Sequence, residues 1–536
     1  MRQARIASYL SPLLATALAT AQKPPSPGLR LFGSMMGTDV FLIDDGGHLP
    51  HTWSSNYLPG HGIYLLPDGS LLRSINTSNK GNGSGGAVQR IGWDSTVLWE
   101  FHYDGPGVLS HHDIAPLPNG NVVLIAWEDL DTAHAVAVGR DPALITAGLF
   151  QPDHLVEVQP TGPTTGAIVW EWHITDHTIQ DRNPAQPRFG VVQDHPELID
   201  VNFPADPSSV DWTHMNGIDY DAAHDWLVVS VHNQSEVWII DHGTTTGEAR
   251  GHSGGRWGKG GDLLYRWGNP AAYRAGATAD QQLFGQHDPR FVRDGRPGAG
   301  HLTVFNNNFA PGRSAVFELE LPVDAAGRFQ QRDDGSYGPG GPSWQYTAPG
   351  FFSPIISGAE RLPNGNTLIC SGYQSHLFEV TPAGRTVWQY QHTGWVFQAQ
   401  YVESSLWAPD TTISASTGGQ MTFEIAAGSQ HAGELFMLLG SASGTSHGLS
   451  LQGVQMPLDF DLLTLLLLAN SLSGTLGDTA GQLSALGTAS ASLQLVPAPW
   501  SPILLGQGLD FATAFADPAT LNVLRSSNAT HVPIVP

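Results

Sequence analysis

The chain has few charged residues and a single cysteine, and each shortage excludes a class of protein. Lys and Arg together number 24 against 48 Asp and Glu, which gives a net charge of −24. Nothing therefore supplies the positively charged surface that binding to nucleic acid requires. The only cysteine, Cys370, cannot form an intrachain disulfide, and its apolar neighbours TLIC predict a buried, unreactive thiol.

Long apolar runs are also scarce. The stretch from Ile6 to Leu18 and the run from Leu462 are too short to span a membrane, so we expect no membrane span. Arg2 and Arg5 precede the first stretch, and the small residues Ala19 and Ala21 follow it. This order is typical of a secretory signal rather than of a buried first helix. We therefore expect a signal peptide over residues 1–21 and a secreted or periplasmic protein.

Short apolar runs separated by Gly, Pro, Asn and Asp dominate the rest, and this pattern predicts an all-β protein. An apolar strand followed by a tryptophan-bearing strand recurs six times, around Trp53, Trp99, Trp170, Trp267, Trp344 and Trp388. Six copies of a unit of about four strands indicate a six-bladed β-propeller over residues 30–402. The first unit lacks a complete inner strand, so we expect the two ends of this region to share one blade.

The composition changes after the repeats. From about Thr412 the chain is rich in Leu, Gly, Ala, Ser and Thr, and its apolar residues alternate as they do in strands. A small C-terminal β-sandwich over residues 412–536 fits this pattern. No catalytic pattern of residues is visible there, so we expect an accessory module.

Five segments of the repeat begin alike and end in a turn of the PDG or PNG kind. Aligning these turns places five residues in one column: His61, His112, His214, His287 and Ser357. In a propeller, these positions would face the central channel. Polar residues lining a wet channel are one interpretation of the column. The other is a reactive site, since a neutral imidazole can be a nucleophile, a general base or a metal ligand. His111 precedes His112 and would point the other way, because side chains alternate along a strand.

Three further residues are candidates for the site. Arg313 lies just before an apolar strand, and its planar fork would suit a tetrahedral oxyanion such as sulfate or phosphate; a surface-loop role is the alternative. Asn216 follows His214 by two residues and could face the channel or support that histidine. Asn307 belongs to a run of three asparagines near the expected channel mouth.

Several motifs occur in a characteristic order: DWTHMNGIDYD, GDLLYRWGNP, FGQHDPRFV, GRSAVFE and SGAERLPNGN. Together they resemble the bacterial arylsulfotransferase (ASST-type) propeller family over roughly residues 35–400. The resemblance implies transfer of a sulfuryl group from a phenolic sulfate to a phenol, without the nucleotide donor PAPS and without a metal or other cofactor. It also implies a ping-pong reaction through a sulfurylated histidine.

The resemblance assigns some residues and leaves others open. His214 in WTHMN and His287 in QHD resemble active-site histidines of that family, and Arg313 in RSAV resembles its arginine. His112 is a catalytic candidate by its place in the column, and His61 a channel-lining one. The column of the last inner strand holds Ser357, so the sulfurylated histidine stays unassigned.

Two other functions remain open. The first is a non-catalytic, ligand-binding propeller, which the serine at position 357 would fit. The second is a metal-dependent oxygenase, because four histidines facing a propeller axis also describe the iron site of carotenoid-cleaving oxygenases. The motifs around the histidines favour the sulfotransferase.

Overall fold

The computed structural model is mostly β. It describes residues 25–26, 28–43, 46–47, 49, 51–66, 70–78, 83, 85–92, 95–206, 209–402, 405–408, 412–414, 416–445, 448–473, 476–495 and 508–536. The signal peptide expected over residues 1–21 lies outside these residues and stays a prediction.

The strands are short, and most follow one another through tight turns. Up to residue 131 they are β1 Leu29–Ser34, β2 Val40–Ile43, β3 His51–Trp53, β4 Pro59–Leu65, β5 Leu71–Asn76, β6 Gly86–Ile91, β7 Val97–His102, β8 Val108–Pro116, β9 Val122–Glu128 and β10 Leu130–Asp131. The next are β11 Leu149–Phe150, β12 Asp153–Gly162, β13 Thr165–His173, β14 Thr178–Ile179, β15 Ile199–Asp200, β16 Met215–Asp221, β17 Trp226–Val231, β18 Glu236–Asp241 and β19 Tyr265–Trp267. The region ends with β20 His287–Phe291, β21 Leu302–Ala310, β22 Arg313–Leu319, β23 Trp344–Tyr346, β24 Gly358–Arg361, β25 Thr367–Ser371, β26 His376–Val380, β27 Thr386–Gln391 and β28 Val396–Val402.

Helices are few and brief in this region. The α-helices are α1 Thr132–Ala137 and α2 Thr246–Ala249. Single 3₁₀ turns occupy Pro142–Leu144, Ile174–His177, Val192–Asp194, His232–Gln234, Pro270–Tyr273, Thr278–Asp280 and Gly372–Gln374.

Six antiparallel, four-stranded sheets account for most of these strands in the described part of the chain. Their strand orders are β28-β1-β2-β3 for sheet 1, β4-β5-β6-β7 for sheet 2, β8-β9-β12-β13 for sheet 3, β16-β17-β18-β19 for sheet 4, β20-β21-β22-β23 for sheet 5 and β24-β25-β26-β27 for sheet 6. The first strand of each sheet contacts the first strand of the next, and the cycle closes from β24 through β28 to β4. Sheet 1 combines the two ends of the region, as expected, because Leu29 of β1 pairs with Val402 of β28.

The tryptophan repeat has a structural cause. Several of these tryptophans lie on the last strand of a sheet, and their indole N–H groups donate to the following sheet or to the loops beside it. The pairs are Trp99 to Thr165 O (3.0 Å), Trp170 to Thr244 Oγ1 (3.0 Å), Trp267 to Pro339 O (2.8 Å) and Trp344 to Pro382 O (2.8 Å). A buried tryptophan thus contributes apolar area and also satisfies its one polar atom between two sheets.

Aspartates make a similar connection close to the inner strands. A carboxylate on one inner strand accepts a backbone N–H from the inner strand of the next sheet. The pairs are Asp113 with Ile218 N (3.3 Å), Asp219 with Phe291 N (2.9 Å) and Asp288 with Ala359 N (3.1 Å). Two of these aspartates directly follow a column histidine, so they tie sheets together rather than orient imidazoles.

The C-terminal unit has its own core around Phe423, Leu438 and Phe511. Its strands are β29 Ser405–Trp407, β30 Ile413–Ser414, β31 Gly419–Ala426, β32 Leu435–Ser441, β33 Leu449–Leu451, β34 Val454–Met456, β35 Ala480–Gln482, β36 Thr488–Leu495, β37 Gly508–Ala516, β38 Val523–Ser526 and β39 Thr530–Val535, with a 3₁₀ turn at Ser429–His431. They form a sheet β29-β31-β36, a larger sheet β30-β39-β37-β32-β35 with β38 beside β37, and the pair β33-β34.

Two features of this unit go beyond the sequence pattern. Strand β29 lies between the two regions predicted from the sequence, yet it pairs with β31, and its Leu406 belongs to the core of the C-terminal unit. The leucine-rich run forms the helix α3 Leu462–Ser473, which packs on β32. None of the helices in the described ranges is long and apolar enough to cross a membrane.

Candidate functional site

The column residues share an unusual backbone. His61, His112 and His214 have positive φ angles of 111°, 51° and 53°. At the other two positions the residue with the positive φ angle is Asp288 (52°), which follows His287, and Ser357 itself (88°). Non-glycine residues rarely adopt this conformation, and the pairing register shifts at four of these places, as in a β-bulge. The bulge turns the column side chain out of the regular alternation of the inner strand.

The imidazoles meet in a closed ring of aromatic contacts. Successive centroid distances are 5.5 Å for His61–His112, 4.6 Å for His112–His214, 5.3 Å for His214–His232, 5.6 Å for His232–His287, 6.2 Å for His287–Phe397 and 4.6 Å for Phe397–His61. The four predicted column histidines therefore do come together. His232 and Phe397, which the sequence analysis did not single out, complete the ring.

His112 is linked to a buried carboxylate through its neighbour. His111 Nε2 lies 2.8 Å from Asp153 Oδ1, and His111 Nδ1 lies 2.8 Å from His112 Nδ1. The His111 ring stacks on Trp127 with centroids 3.9 Å apart. Burial, and then the charge of His214, hold the pKa of His112 well below its ordinary value. His112 is thus a neutral imidazole oriented by His111.

His214 is bound to an acid. Its Nδ1 lies 2.5 Å from Asp211 Oδ2, so Nε2 is the nitrogen left to act on another group. Burial opposes the charged form, but the hydrogen bond and charge of Asp211 outweigh it and raise the pKa of His214. The side chain is 19% exposed, unlike those of most of the ring. This arrangement suits a group that exchanges a proton near neutral pH.

His232 lies beside His214 and is held by an amide. Its Nδ1 is 2.9 Å from Asn233 Oδ1, an atom that can only accept, so Nδ1 carries the proton and Nε2 the lone pair. Burial and the charge of His214 lower the pKa of His232. Its Nε2 is therefore an unprotonated nitrogen at neutral pH.

His287 has both nitrogens occupied. Nδ1 donates to Asn307 Oδ1 at 2.8 Å, and Nε2 accepts the backbone N–H of Ile356 at 3.2 Å. Asn307 also donates to the carbonyls of Ser353 and Ile356, so it positions His287 between two inner strands. Burial is the main cause that keeps the pKa of His287 well below its ordinary value.

His61 is the most isolated member of the ring. Its Nδ1 is buried and finds no hydrogen-bond partner among the described residues. Burial, with the charges of His111 and His214, lowers the pKa of His61 to about 3. This imidazole is therefore neutral at neutral pH.

A cavity of about 350 Å³ opens beside two ring members. Its lining contains His214, His232, Asp211, Asn233 and Arg140, together with Pro204, Asp206, Ser209 and Trp212. The volume is in the range of small-molecule sites.

Arg140 is a buried cation in this lining. Its Nη1 donates to Val201 O at 2.6 Å, and its guanidinium lies over the rings of Phe150 and Trp212. Its Nε finds no partner, and it forms no ion pair, within the described part of the chain. Burial lowers the pKa of Arg140 only to about 10, so the group keeps its charge at neutral pH.

Three predicted residues lie elsewhere. Arg313 is exposed at the turn between β21 and β22 and does not belong to the described lining of the cavity. Asn216 donates to Gln286 O at 2.9 Å and so joins two inner strands instead of supporting His214. Ser357 donates to Ser353 Oγ at 2.7 Å and accepts a hydrogen bond from the N–H of Gly372. Its hydroxyl therefore stabilises a loop.

Metal-ligand clusters are separate from the ring. The described residues contain two groups of three side chains whose ligand atoms lie within 4.8 Å of one another, and neither includes a column histidine. The four-histidine iron site considered from the sequence is not assembled by this geometry.

The comparison with protein families agrees with the order of the motifs. The sequence model of arylsulfotransferase (ASST) matches residues 99–407, more than half of the chain. The chain belongs to the arylsulfotransferase (ASST) family. An aryl sulfotransferase-type function follows in general terms, and it implies phenolic small molecules as substrates.

Other comparisons give only remote similarity. No curated protein matches this chain. Among solved structures, a Bacteroides caccae protein of unknown function has a TM-score of 0.39 at 14% identity, covering 70% of this chain and 98% of its own. A periplasmic gluconolactonase of Pseudomonas aeruginosa has a TM-score of 0.35 at 13% identity, covering 70% and 99%.

Proposed function

We propose that this ASST-family protein transfers a sulfuryl group from an aryl sulfate to a phenol, without PAPS, in the cavity beside His214 and His232. We further propose that the six sheets form a six-bladed β-propeller, that residues 412–536 form a β-sandwich accessory module, and that the protein is secreted or periplasmic. The observation that carries the function is the meeting of two differently tuned imidazoles and one buried arginine in a single cavity.

His232 is the proposed nucleophile. Its Nε2 carries the lone pair because Asn233 holds the proton on Nδ1. Its lowered pKa keeps that lone pair free at neutral pH, which is what an attack on sulfur needs. His287 and His112 are less suited, because hydrogen bonds engage both nitrogens of His287 and His112 is more deeply buried.

His214 is the proposed proton carrier. Asp211 fixes its Nδ1–H and raises its pKa, so the ring can give a proton to a leaving phenolate and take one from an incoming phenol. Arg140 supplies positive charge for the sulfuryl oxygens, which gain negative charge as the sulfur–oxygen bond breaks. Arg313, exposed at the turn between β21 and β22, stays a candidate for guiding the sulfate into the cavity.

The two half-reactions balance. First, His232 Nε2 bonds to sulfur, the sulfur–aryl oxygen bond breaks, and the phenolate takes a proton from His214. Then the acceptor phenol gives its proton to His214, its oxygen bonds to sulfur, and the nitrogen–sulfur bond breaks. Each turnover returns both imidazoles to their starting state, so no metal or other cofactor is needed.

The test is peptide mass spectrometry during turnover of p-nitrophenyl sulfate with a phenol. A sulfuryl group on the His232 peptide, absent in His232→Gln, is the expected result, with transfer abolished in that variant. His195→Gln, an exposed histidine paired with Glu197, is the matched control and should keep full activity. Labelling of another histidine would overturn the choice of His232 while retaining the transferase.

A ligand-binding protein without turnover is the second candidate. The observation favouring it is Ser357, which replaces an imidazole in the column and has its hydroxyl bound to a loop. No transfer and no labelled histidine with several aryl sulfates, together with saturable binding of those sulfates, would establish this candidate instead.

A further inference from the structure

A second group of imidazoles lies away from the ring, where a glycine-rich loop meets sheet 3. His177 follows β13, and His252 and Asp262 flank the loop SGGRWGKGG. His177 Nδ1 and His252 Nδ1 each lie 2.8 Å from the same atom, Asp262 Oδ1. Two ring nitrogens thus converge on one carboxylate oxygen.

The protonation of His177 makes this convergence informative. Its Nε2 lies 2.8 Å from the carbonyl oxygen of Ala249, which only accepts, so Nε2 carries a proton. In a neutral ring, Nδ1 then presents its lone pair, and this lone pair faces the carboxylate. Only a proton fits between two atoms 2.8 Å apart, and a metal ion that replaces this proton would bind the lone pair of Nδ1 and the carboxylate oxygen after a small separation.

The geometry points to a divalent transition-metal site, with Zn²⁺ as the ion best matched, held by His177 Nδ1, His252 Nδ1 and the Asp262 carboxylate. Two imidazoles and a carboxylate form a ligand set that zinc accepts, with water completing a tetrahedron. The bond from His177 to a backbone carbonyl is the outer contact that metal-bound histidines usually make. This site is independent of the proposed transferase reaction.

The surroundings hold two of the ligands in place. The His177 side chain is fully buried and stacks on Trp172, whose indole N–H donates to Gly261 O at 2.7 Å. Gly261 must be glycine, because a Cβ there would lie 2.0 Å from Ala249 O and 2.6 Å from His177 Nε2. The His177 side chain is therefore fixed before the metal arrives, and the bond from Trp172 holds the backbone next to Asp262.

His252 is the movable third ligand. Its side chain is 54% exposed, so it can rotate outward without disturbing the core. A zinc tetrahedron needs ligand atoms about 3.3 Å apart, slightly more than the present 2.8 Å. Rotation of His252 supplies this difference on its own side, and its exposure leaves room for the water ligand. His177 Nδ1 also lies 2.8 Å from Asp262 Oδ1, so the Asp262 carboxylate must turn by a few tenths of an ångström to bind the same ion.

The proposed consequence of binding is closure of the loop. Residues 253–261 connect two ligands and contain Gly254, Gly255, Gly258 and Gly260 with positive φ angles, and the side chains of Arg256 and Trp257 attach the loop to the carbonyls of Ala223 and His224. A metal that joins both ends of the loop to His177 binds only the folded chain and therefore stabilises it.

The experiment is zinc titration of the full chain, purified with a tag that contains no histidine and stripped with EDTA. Calorimetry should give one zinc per chain that is lost, or weakened by at least about tenfold, in His252→Gln and Asp262→Asn. His531→Gln is the matched control, because His531 is 53% exposed and its Nδ1 is also 2.8 Å from one aspartate, Asp510, but no second imidazole joins them.

A second variant separates this site from the other metal-like group, which consists of Glu128, His154 and His173. His173→Gln should leave the zinc stoichiometry at the His252 site unchanged. Zinc should also raise the Tm of the wild type and not that of His252→Gln. If zinc binding is absent, survives His252→Gln, or disappears in His173→Gln instead, the proposal is wrong.

Discussion

His111 and His112 place their Nδ1 atoms 2.8 Å apart, and Asp153 determines which of the two carries the proton. Asp153 can only accept, so His111 donates from Nε2 and keeps a lone pair on Nδ1. His112 must then donate from its own Nδ1, which leaves its Nε2 unprotonated. One buried carboxylate therefore sets the tautomers of two successive histidines.

Replacing Asp153 by asparagine should destabilise the protein by about 3 kcal/mol, because it removes the acceptor for His111 and weakens those for Thr213 and Met215 in a buried site. Urea denaturation of the two proteins at neutral pH measures the difference. Glu197→Gln, whose partner His195 is exposed, should change stability by less than about 1 kcal/mol. Equal losses of stability in both variants would contradict the role of Asp153 as the buried acceptor for His111.

The free energy of unfolding should fall as the solution is acidified below pH 6.5. His61 has a pKa of about 3 in the folded chain and an ordinary value of 6.5, so the unfolded state binds its proton first. Between pH 6.5 and pH 5 this one group lowers stability by about 2 kcal/mol. The loss continues until the pH reaches the folded pKa.

The measurement for this prediction is urea denaturation at pH 7 and pH 5 for the wild type and His61→Gln. The variant should lose less stability than the wild type on acidification, by about the same 2 kcal/mol. His134→Gln, in which the replaced side chain is 72% exposed, should follow the wild type. Parallel pH dependence in wild type and His61→Gln would show that His61 is not held neutral.

Cys370 should not react with thiol reagents in the native protein. It is buried, its thiol lies 3.7 Å from Val396 O, and burial raises its pKa far above the usual value. Titration with Ellman's reagent should find no reactive thiol before unfolding and one afterwards. Rapid native labelling would mean that the contact between β25 of sheet 6 and β28 of sheet 1 opens.

Arg140→Gln should reduce sulfuryl transfer by roughly a hundredfold, since one preorganised charge at the reacting oxygens is worth about that much. Arg140→Lys keeps the charge and should recover part of the rate. Circular dichroism and Tm establish that both variants fold. A large loss in Arg313→Gln with little effect of Arg140→Gln would instead assign the sulfuryl oxygens to the exposed arginine.

The sequence predicted those parts of the fold that repeat. Trp99, Trp267 and Trp344 mark the outer strands, and the N–H of each donates to a carbonyl of the next sheet or of a loop beside it. The shared first sheet was also predictable, since the first repeat lacks an inner strand. Helix α3 was not, because its run is apolar on every side and only packing on β32 distinguishes it from a strand.

The site was predicted in part for a similar reason. His61, His112, His214 and His287 occupy equivalent places, so alignment of the turns finds them. His232 directly follows β17 and enters the ring from a 3₁₀ turn, which recurs after β25 as Gly372–Gln374 with glycine in place of the histidine. The only available signal was the polar HNQ after the apolar strand that ends at Val231.

Arg140 could not be predicted from the sequence. It comes from the connection after α1, within a long insertion of sheet 3, and reaches the cavity only because that insertion packs against Phe150 and Trp212. Arg313 had the better motif, but the lining of the cavity depends on how the insertion folds back. Sequence periodicity carries no information about such a contact.

The pairing of β1 with β28 constrains how the protein can be made. As the chain leaves the ribosome, Leu29 and its neighbours emerge early, but their partner around Val402 emerges only after all the other sheets. Until then one edge of β1 has no partner strand. Its sequence, LRLFGS, is buried at every position in the folded protein, and an exposed strand of this kind can pair with strands of other chains. The cycle of sheets can therefore close only after β28 has been synthesised, and until then the growing chain must keep β1 away from the strands of its neighbours.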